Sequence, residues 1–87
     1  MTKIDVVINN KSGLHARPAS LFVKEVNQYK SDITVIKEGQ SYNGKSIMSV
    51  LSMGIPQGQY VTIMAEGEDE KEAIEAIKKL VDNNFGE

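Results

Sequence analysis

The chain has 87 residues, 40% hydrophobic and 25% charged, which suits one compact domain over residues 1–87 and leaves no length for a second. With no cysteine, disulfide staples, thiol chemistry and Cys-ligated zinc are excluded. A net charge of -2, no Trp, three Tyr and two Phe provide neither the field nor the stacking platform that nucleic acid requires. A core this small has little room for a buried cleft, so function is expected on the surface.

The first strand is read from Ile4, Val6 and Ile8, which alternate with residues of the second face. Asn9 to Gly13 is turn-forming. Ala19, Phe22, Val23 and Val26 then recur at helical spacing. Pro18 fits only the first turn of a helix, so this one begins near His15 or Ala16. Asp32 to Lys37 is β-rich, and the turn Lys37-Glu38-Gly39-Gln40 leads into a short strand at Ser41 to Asn43. Ser46 is placed to cap a brief helix ending at Gly54, with Pro56-Gln57-Gly58 as the next turn. Val61, Ile63 and Ala65 alternate as the last strand. Asp69 and Glu72 form a capping-box-like pair, and the helix behind them is expected to bury Ala73, Ile74, Ile77, Leu80 and Val81. The order is βαββαβα, with hairpins in place of long crossovers. It predicts an α+β domain, an antiparallel sheet covered on one face by helices. The first residues, Met-Thr-Lys-Ile-Asp-Val, show no basic region followed by a long apolar stretch, and no apolar run reaches membrane-spanning length. The expected setting is therefore cytoplasmic, without membrane insertion.

Chemistry is most plausible at Ser12-Gly13-Leu14-His15-Ala16-Arg17-Pro18-Ala19, which holds the only histidine. The unpaired N–H groups of a helix start, together with the helix dipole, favour an anion there. Arg17 adds a permanent positive charge with planar donors. No carboxylate cluster lies in the segment to hold a divalent cation, and no base stands ready to activate water. A site that stabilises phosphate without driving its hydrolysis suits a carrier, with no metal and no cofactor expected. The plainer alternative is a solvated histidine beside a helix cap, with Arg17 a surface residue and Gly13 and Pro18 structural.

Gly39-Gln40-Ser41-Tyr42-Asn43-Gly44-Lys45-Ser46 satisfies the pattern G-x-x-x-x-G-K-[ST] of a nucleotide-binding loop. We read it as a chance match. The same residues must supply a hairpin turn and a strand, and the chain lacks length for the parallel α/β domain that carries such loops.

The segment Ser12 to Ala19 resembles the active-site signature of the HPr family, the histidine phosphocarriers of the bacterial phosphoenolpyruvate-dependent sugar phosphotransferase system. Lys45-Ser46-Ile47-Met48-Ser49-Val50-Leu51-Ser52-Met53-Gly54-Ile55 resembles that family's second signature, at the family's usual separation. The resemblance implies an open-faced β-sandwich of four antiparallel strands and three helices. It implies that His15 accepts phosphate on Nδ1 from Enzyme I and passes it to the IIA domains of sugar permeases, with Arg17 assisting. It makes Ser46 a regulatory phosphorylation site for HPr kinase/phosphorylase, the modified form binding catabolite control protein. The chain would be a carrier and not an enzyme, and a monomer. His15 also separates it from the regulatory relative Crh, which lacks the active-site histidine. Gly44 and Ser49 depart from the pattern, where a larger apolar residue and Gly are expected, and Leu51 replaces a frequent Met.

The Ser46 helix is apolar on more than one side. Val50 and Met53 can face the core while Ile47, Met48 and Leu51 form another face. Periodicity leaves open whether this second face lies under a neighbouring helix or is exposed for docking. The family resemblance favours docking, where a methionine adapts to several partners. Ser46 can serve both as N-cap and as modified residue, because the helix dipole favours a phosphate at that end.

Overall fold

Val61, Ile63 and Ala65 point to one side of their strand, and all three are buried. A computed structural model describes residues 1–87. In it this strand, β4 (Gln59–Glu66), lies at the heart of the sheet. It pairs antiparallel with β1 (Thr2–Ile8) on one side and β2 (Asp32–Lys37) on the other. β2 pairs in turn with β3 (Gln40–Asn43), so the order is β1-β4-β2-β3. The register matches apolar residue to apolar residue: Val6 faces Val61, Ile4 and Val35 both face Ile63, and Ile33 faces Ala65. A slip of one residue would turn each of these to solvent, which is why the register is well determined.

Three helices cover the inner face: α1 (Ala16–Val26), α2 (Ile47–Ser52) and α3 (Glu70–Asp82). They bury Ala19, Phe22 and Val26 from α1, Val50 from α2, and Ala73, Ile74, Ile77 and Val81 from α3 in one core with the sheet. Leu80, expected inside, packs only partly against that core. The outer face is open, with Val7 and Tyr60 exposed opposite one another. The fold is thus an α+β open-faced sandwich with a four-stranded antiparallel sheet. No helix is long and apolar enough to cross a membrane.

The Asp69–Glu72 capping box does not form. Asp69 is the N-cap of α3 but makes no side-chain cap. Its carboxylate accepts instead from the Lys30 N–H (2.8 Å), the Ser31 N–H (2.9 Å) and the Ser31 hydroxyl (2.5 Å) in the turn after α1. Three donors from a turn that must be held down outweigh one bond within its own helix. The Ser31 hydroxyl is the first cause of an Asp69 carboxyl held below the usual range.

The neighbouring Glu70 is pulled down from 4.5 to about 2, first by the Thr2 hydroxyl (2.5 Å), then by the Gly67 N–H (3.2 Å) and the amine of Met1 (3.0 Å). A carboxyl depressed in the folded state contributes stability that is fully present above its unfolded value and is lost as pH falls through its folded one. Glu70→Gln is therefore expected to flatten the loss of stability between pH 4.5 and about 2, measured by urea unfolding across that window.

Candidate functional site

His15 is the N-cap of α1. Its backbone is extended (φ -81°, ψ -169°), and its carbonyl accepts the Ala19 N–H at 2.9 Å. Its side chain makes no capping bond and the residue is exposed. The next two N–H groups, of Ala16 and Arg17, have no partner within the protein, and Pro18, buried in the first turn, has no N–H to present. Arg17 is exposed and enters no ion pair. An exposed imidazole, two free amides and a guanidinium thus share one helix end, where the helix dipole is positive. None of the surface grooves is lined by His15 or Arg17. The site is open and meets a protein surface more readily than it encloses a small molecule.

The loop ahead of His15 is firmly seated. The Gly13 N–H donates to the Asn10 carbonyl (3.0 Å), the Asn10 side-chain amide donates to the Gly13 carbonyl (2.7 Å), and the Leu14 N–H donates to the Ile55 carbonyl (2.9 Å). Gly13 has φ +64°, and a Cβ there would overlap the Ile55 carbonyl oxygen and come within 2.8 Å of Pro56. Only glycine meets both demands.

Glu87 belongs to the same loop, a residue that motif and periodicity do not single out. Its carboxylate accepts from the Ser12 hydroxyl (2.7 Å), the Ser12 N–H (3.4 Å) and the Asn10 side-chain amide (3.3 Å). The Ser12 hydroxyl is the main cause of a Glu87 carboxyl held below its usual value, and the Arg17 charge contributes as well. The one signal in the sequence is the lone Phe85 among polar neighbours. It is buried and anchors the turn that brings Glu87 round.

Ser46 is the N-cap of α2, and its hydroxyl accepts the Ser49 N–H at 3.2 Å. Of the apolar face read from the sequence, Met48 is 75% exposed and Leu51 42%, whereas Ile47 packs partly against the core. Leu21 on α1, 38% exposed, joins them as a large apolar side chain left open on these two packed helices. Helical periodicity marks the buried face of α1 but not which of its outer residues a neighbour leaves bare, so Leu21 is not legible from it. Below α2, Lys37 is largely buried and its ammonium donates to the Met53 carbonyl (2.7 Å), completing the helix end. No hydrogen bond or ion pair links His15 or Arg17 to Ser46. The two motifs meet through α1–α2 packing and the Leu14–Ile55 bond.

The segment Gly39 to Ser46 is no phosphate-binding loop. Gly44 and Ser46 donate their N–H groups to the carbonyls of Ile33 and Asn43, Lys45 donates its own to the Asn43 side chain, and the Lys45 ammonium is tied to the Tyr29 carbonyl at 2.6 Å. Gly44 also explains its departure from the family pattern. It is buried, and a Cβ there would lie 2.6 Å from Ile33 Cγ2.

Comparison with known proteins agrees with this geometry. The family model described as the PTS HPr component phosphorylation site matches residues 2–83. The phosphocarrier protein HPr of Mycoplasma pneumoniae is 44% identical over 85 residues, 97% of each chain. The HPr-like protein Crh of Bacillus subtilis is also 44% identical, over 93% of this chain and 95% of its own. A crystal structure of HPr from Thermoanaerobacter tengcongensis superposes with a TM-score of 0.98 at 47% identity, over 100% of this chain and 98% of the other. The HPr of that organism has also been solved as a dimer, with a TM-score of 0.81. The chain belongs to the HPr family of the phosphotransferase system, a family of phosphocarriers.

Proposed function

We propose that this protein, as a single domain over residues 1–87, carries a phosphoryl group on His15 Nδ1 between Enzyme I and the IIA domains of sugar permeases. The observation that carries the reading is the exposed His15 beside two partnerless amides and the free Arg17. The imidazole lone pair attacks phosphorus as the donor atom departs with its electron pair. The amides of Ala16 and Arg17 and the guanidinium take up the phosphoryl oxygens' charge. Transfer onward reverses the roles, with His15 as leaving group. The protein is a carrier and not a catalyst. It works as a monomer in the cytoplasm, and the size distribution in sedimentation tests the monomer against the dimer seen for the Thermoanaerobacter relative.

Met48 and Leu51, with the partly buried Ile47 beneath them, form the surface on which these partners dock. Ser46 is the regulatory site, open to HPr kinase/phosphorylase. A phosphate there places about two negative charges at the start of α2, which the helix dipole accepts but an acidic or apolar partner surface does not. The modified form is the one suited to catabolite control protein.

The deciding experiment is labelling with phosphoenolpyruvate and purified Enzyme I. The wild type is expected to acquire one acid-labile phosphate and His15→Ala none. A stable label on His15→Ala overturns the assignment. The similarity to Crh supports a second reading, in which the protein acts mainly through Ser46 in a catabolite-repression or nitrogen-related branch. His15-dependent phosphorylation of sugar in a reconstituted system excludes it.

A further inference from the structure

β1 is an edge strand, and its open side is unprotected. The Ile8 carbonyl points into the sheet, where it accepts the Gly58 N–H at 2.6 Å. Backbone groups alternate between the two sides of a strand, so Lys3, Asp5 and Val7 turn their N–H and carbonyl groups away from β4. No turn or loop of the chain bonds to them. Proteins blunt such an edge with proline, a bulge or a very short strand. β1 has seven residues without proline, in unbroken register with β4. The charges of Lys3 and Asp5 lie on the outer face and leave the edge itself accessible.

A helix runs beside this edge. Glu70, at the start of α3, accepts from the Thr2 hydroxyl, and Asn84, past its end, lies by Asn9, so α3 follows β1 in the same direction. Between them is a groove of about 370 Å³, lined by Ile4, Val6 and Val7 on the strand and by Lys78, Val81 and Asp82 on the helix. Ile4 and Val6 belong to the inner face of the sheet yet are only partly buried, whereas Val61 and Ile63 opposite them are closed in. Asp5 stands at the middle of the open edge. It enters no ion pair, and the Thr62 hydroxyl, which donates to it at 2.6 Å, holds its carboxyl below the usual range.

We infer that this groove takes an extended segment of a partner protein as a fifth, antiparallel strand, one with a basic residue between two apolar ones. Backbone bonds to Asp5 and Val7 hold the segment in register. The apolar pair turns inward over Ile4, Val6 and Val81, and the basic residue faces outward beside Asp5. The occupant is a strand without a helix of its own, because α3 already forms the other wall. The α2 helix, with Met48 and Leu51, packs at β3 on the opposite edge of the sheet, and neither His15 nor Arg17 lines the groove. The segment therefore binds a surface that phosphoryl transfer leaves free, and the inference is independent of the carrier reading.

The test adds the peptide acetyl-Thr-Val-Lys-Val-Thr-amide at millimolar concentration to the full chain and follows the amide chemical shifts. Saturable shifts are expected in β1 and from Lys78 to Asn84, with slowed hydrogen exchange at the Asp5 and Val7 amides. Glu in place of the peptide lysine is expected to weaken binding about fivefold, and Asp5→Lys to reverse that preference. A methyl group on the backbone nitrogen of the peptide lysine removes the bond to Asp5 and is expected to weaken binding about tenfold. Labelling of His15 by Enzyme I is expected to be unchanged by the peptide. No saturable shift, tolerance of the methyl group, or an Asp5→Lys protein that keeps the wild-type preference overturns the inference. So does inhibited labelling, which places the peptide on the transfer face. If the β1 shifts of the protein alone move with its own concentration, the occupant is a second copy and the inference also falls.

Discussion

Gly13→Ala is expected to lower the stability of the folded protein by about 3 kcal/mol and its melting temperature by about 15 °C, at 4–8 °C per kcal/mol for a domain of this size. Two costs add. The left-handed backbone at Gly13 (φ +64°) costs a non-glycine residue about 1 kcal/mol. The new Cβ then meets the Ile55 carbonyl and Pro56, backbone atoms that a rotamer change does not move, and overpacking of this kind costs about 1–3 kcal/mol more. Gly54 is the internal control. Its φ is +61°, yet a Cβ there meets nothing within 4 Å, so Gly54→Ala is expected to show the backbone cost alone, about 1 kcal/mol. Urea unfolding of the two variants side by side checks this, and equal losses would contradict the account. A functional consequence follows from the same geometry. The Leu14–Ile55 bond is the joint between the His15 loop and the segment leaving α2, so relief of the overlap displaces His15 relative to α2. Surviving Gly13→Ala is expected to be labelled by Enzyme I more slowly than Gly54→Ala.

Arg17→Gln is expected to reduce the rate of His15 phosphorylation by Enzyme I about 100-fold, with little change in stability. Loss of one preorganised donor at a developing charge costs about 10²–10³ in rate, and a guanidinium offers charge and a two-pronged donor together. Arg17 is exposed and unpaired, so its removal strands no buried partner. Arg17→Lys restores charge but not the planar fork and is expected to fall between the two. Rapid-quench labelling at saturating and limiting carrier separates the step from docking: the loss belongs in the maximal rate. A wild-type maximal rate in Arg17→Gln would remove Arg17 from the transfer step.

The setting of Arg17 is legible in the chain itself, and the reason is local; of Gly13 the chain shows only the turn, not the close approach of Ile55 and Pro56. Pro18 restricts the helix start, and the spacing of Phe22 and Val26 sets its inner face. These two facts alone put His15 at a helix N-terminus with free amides. The alternation of Val61, Ile63 and Ala65 likewise suffices for a half-buried strand, and the βαββαβα order for an open-faced α+β sandwich. Short-range physics decides all of this: hydrophobic period, proline geometry and capping chemistry.

What no local pattern conveys is long-range. Asp69 has the position of a helix cap but serves the Lys30–Ser31 turn, 38 residues from Ser31, because folding brings more donors there than its own helix offers. Ile47, grouped in the sequence with Met48 and Leu51, is partly buried, since it lies one turn before the buried Val50 and packs at the edge of the core. Leu21 becomes a surface residue, and Lys37 a helix-end donor, only when α1 and β2 are set against α2. Glu87 is the extreme case. It lies 75 residues from Ser12 in sequence, and only the burial of Phe85 brings it to the His15 loop. The sequence by itself determined the elements, their order and the chemical character of the His15 and Ser46 segments, because each is written within a few residues. The tertiary structure alone decided which charges surround His15 and which apolar side chains remain free to meet a partner, because those depend on contacts between segments far apart in the chain.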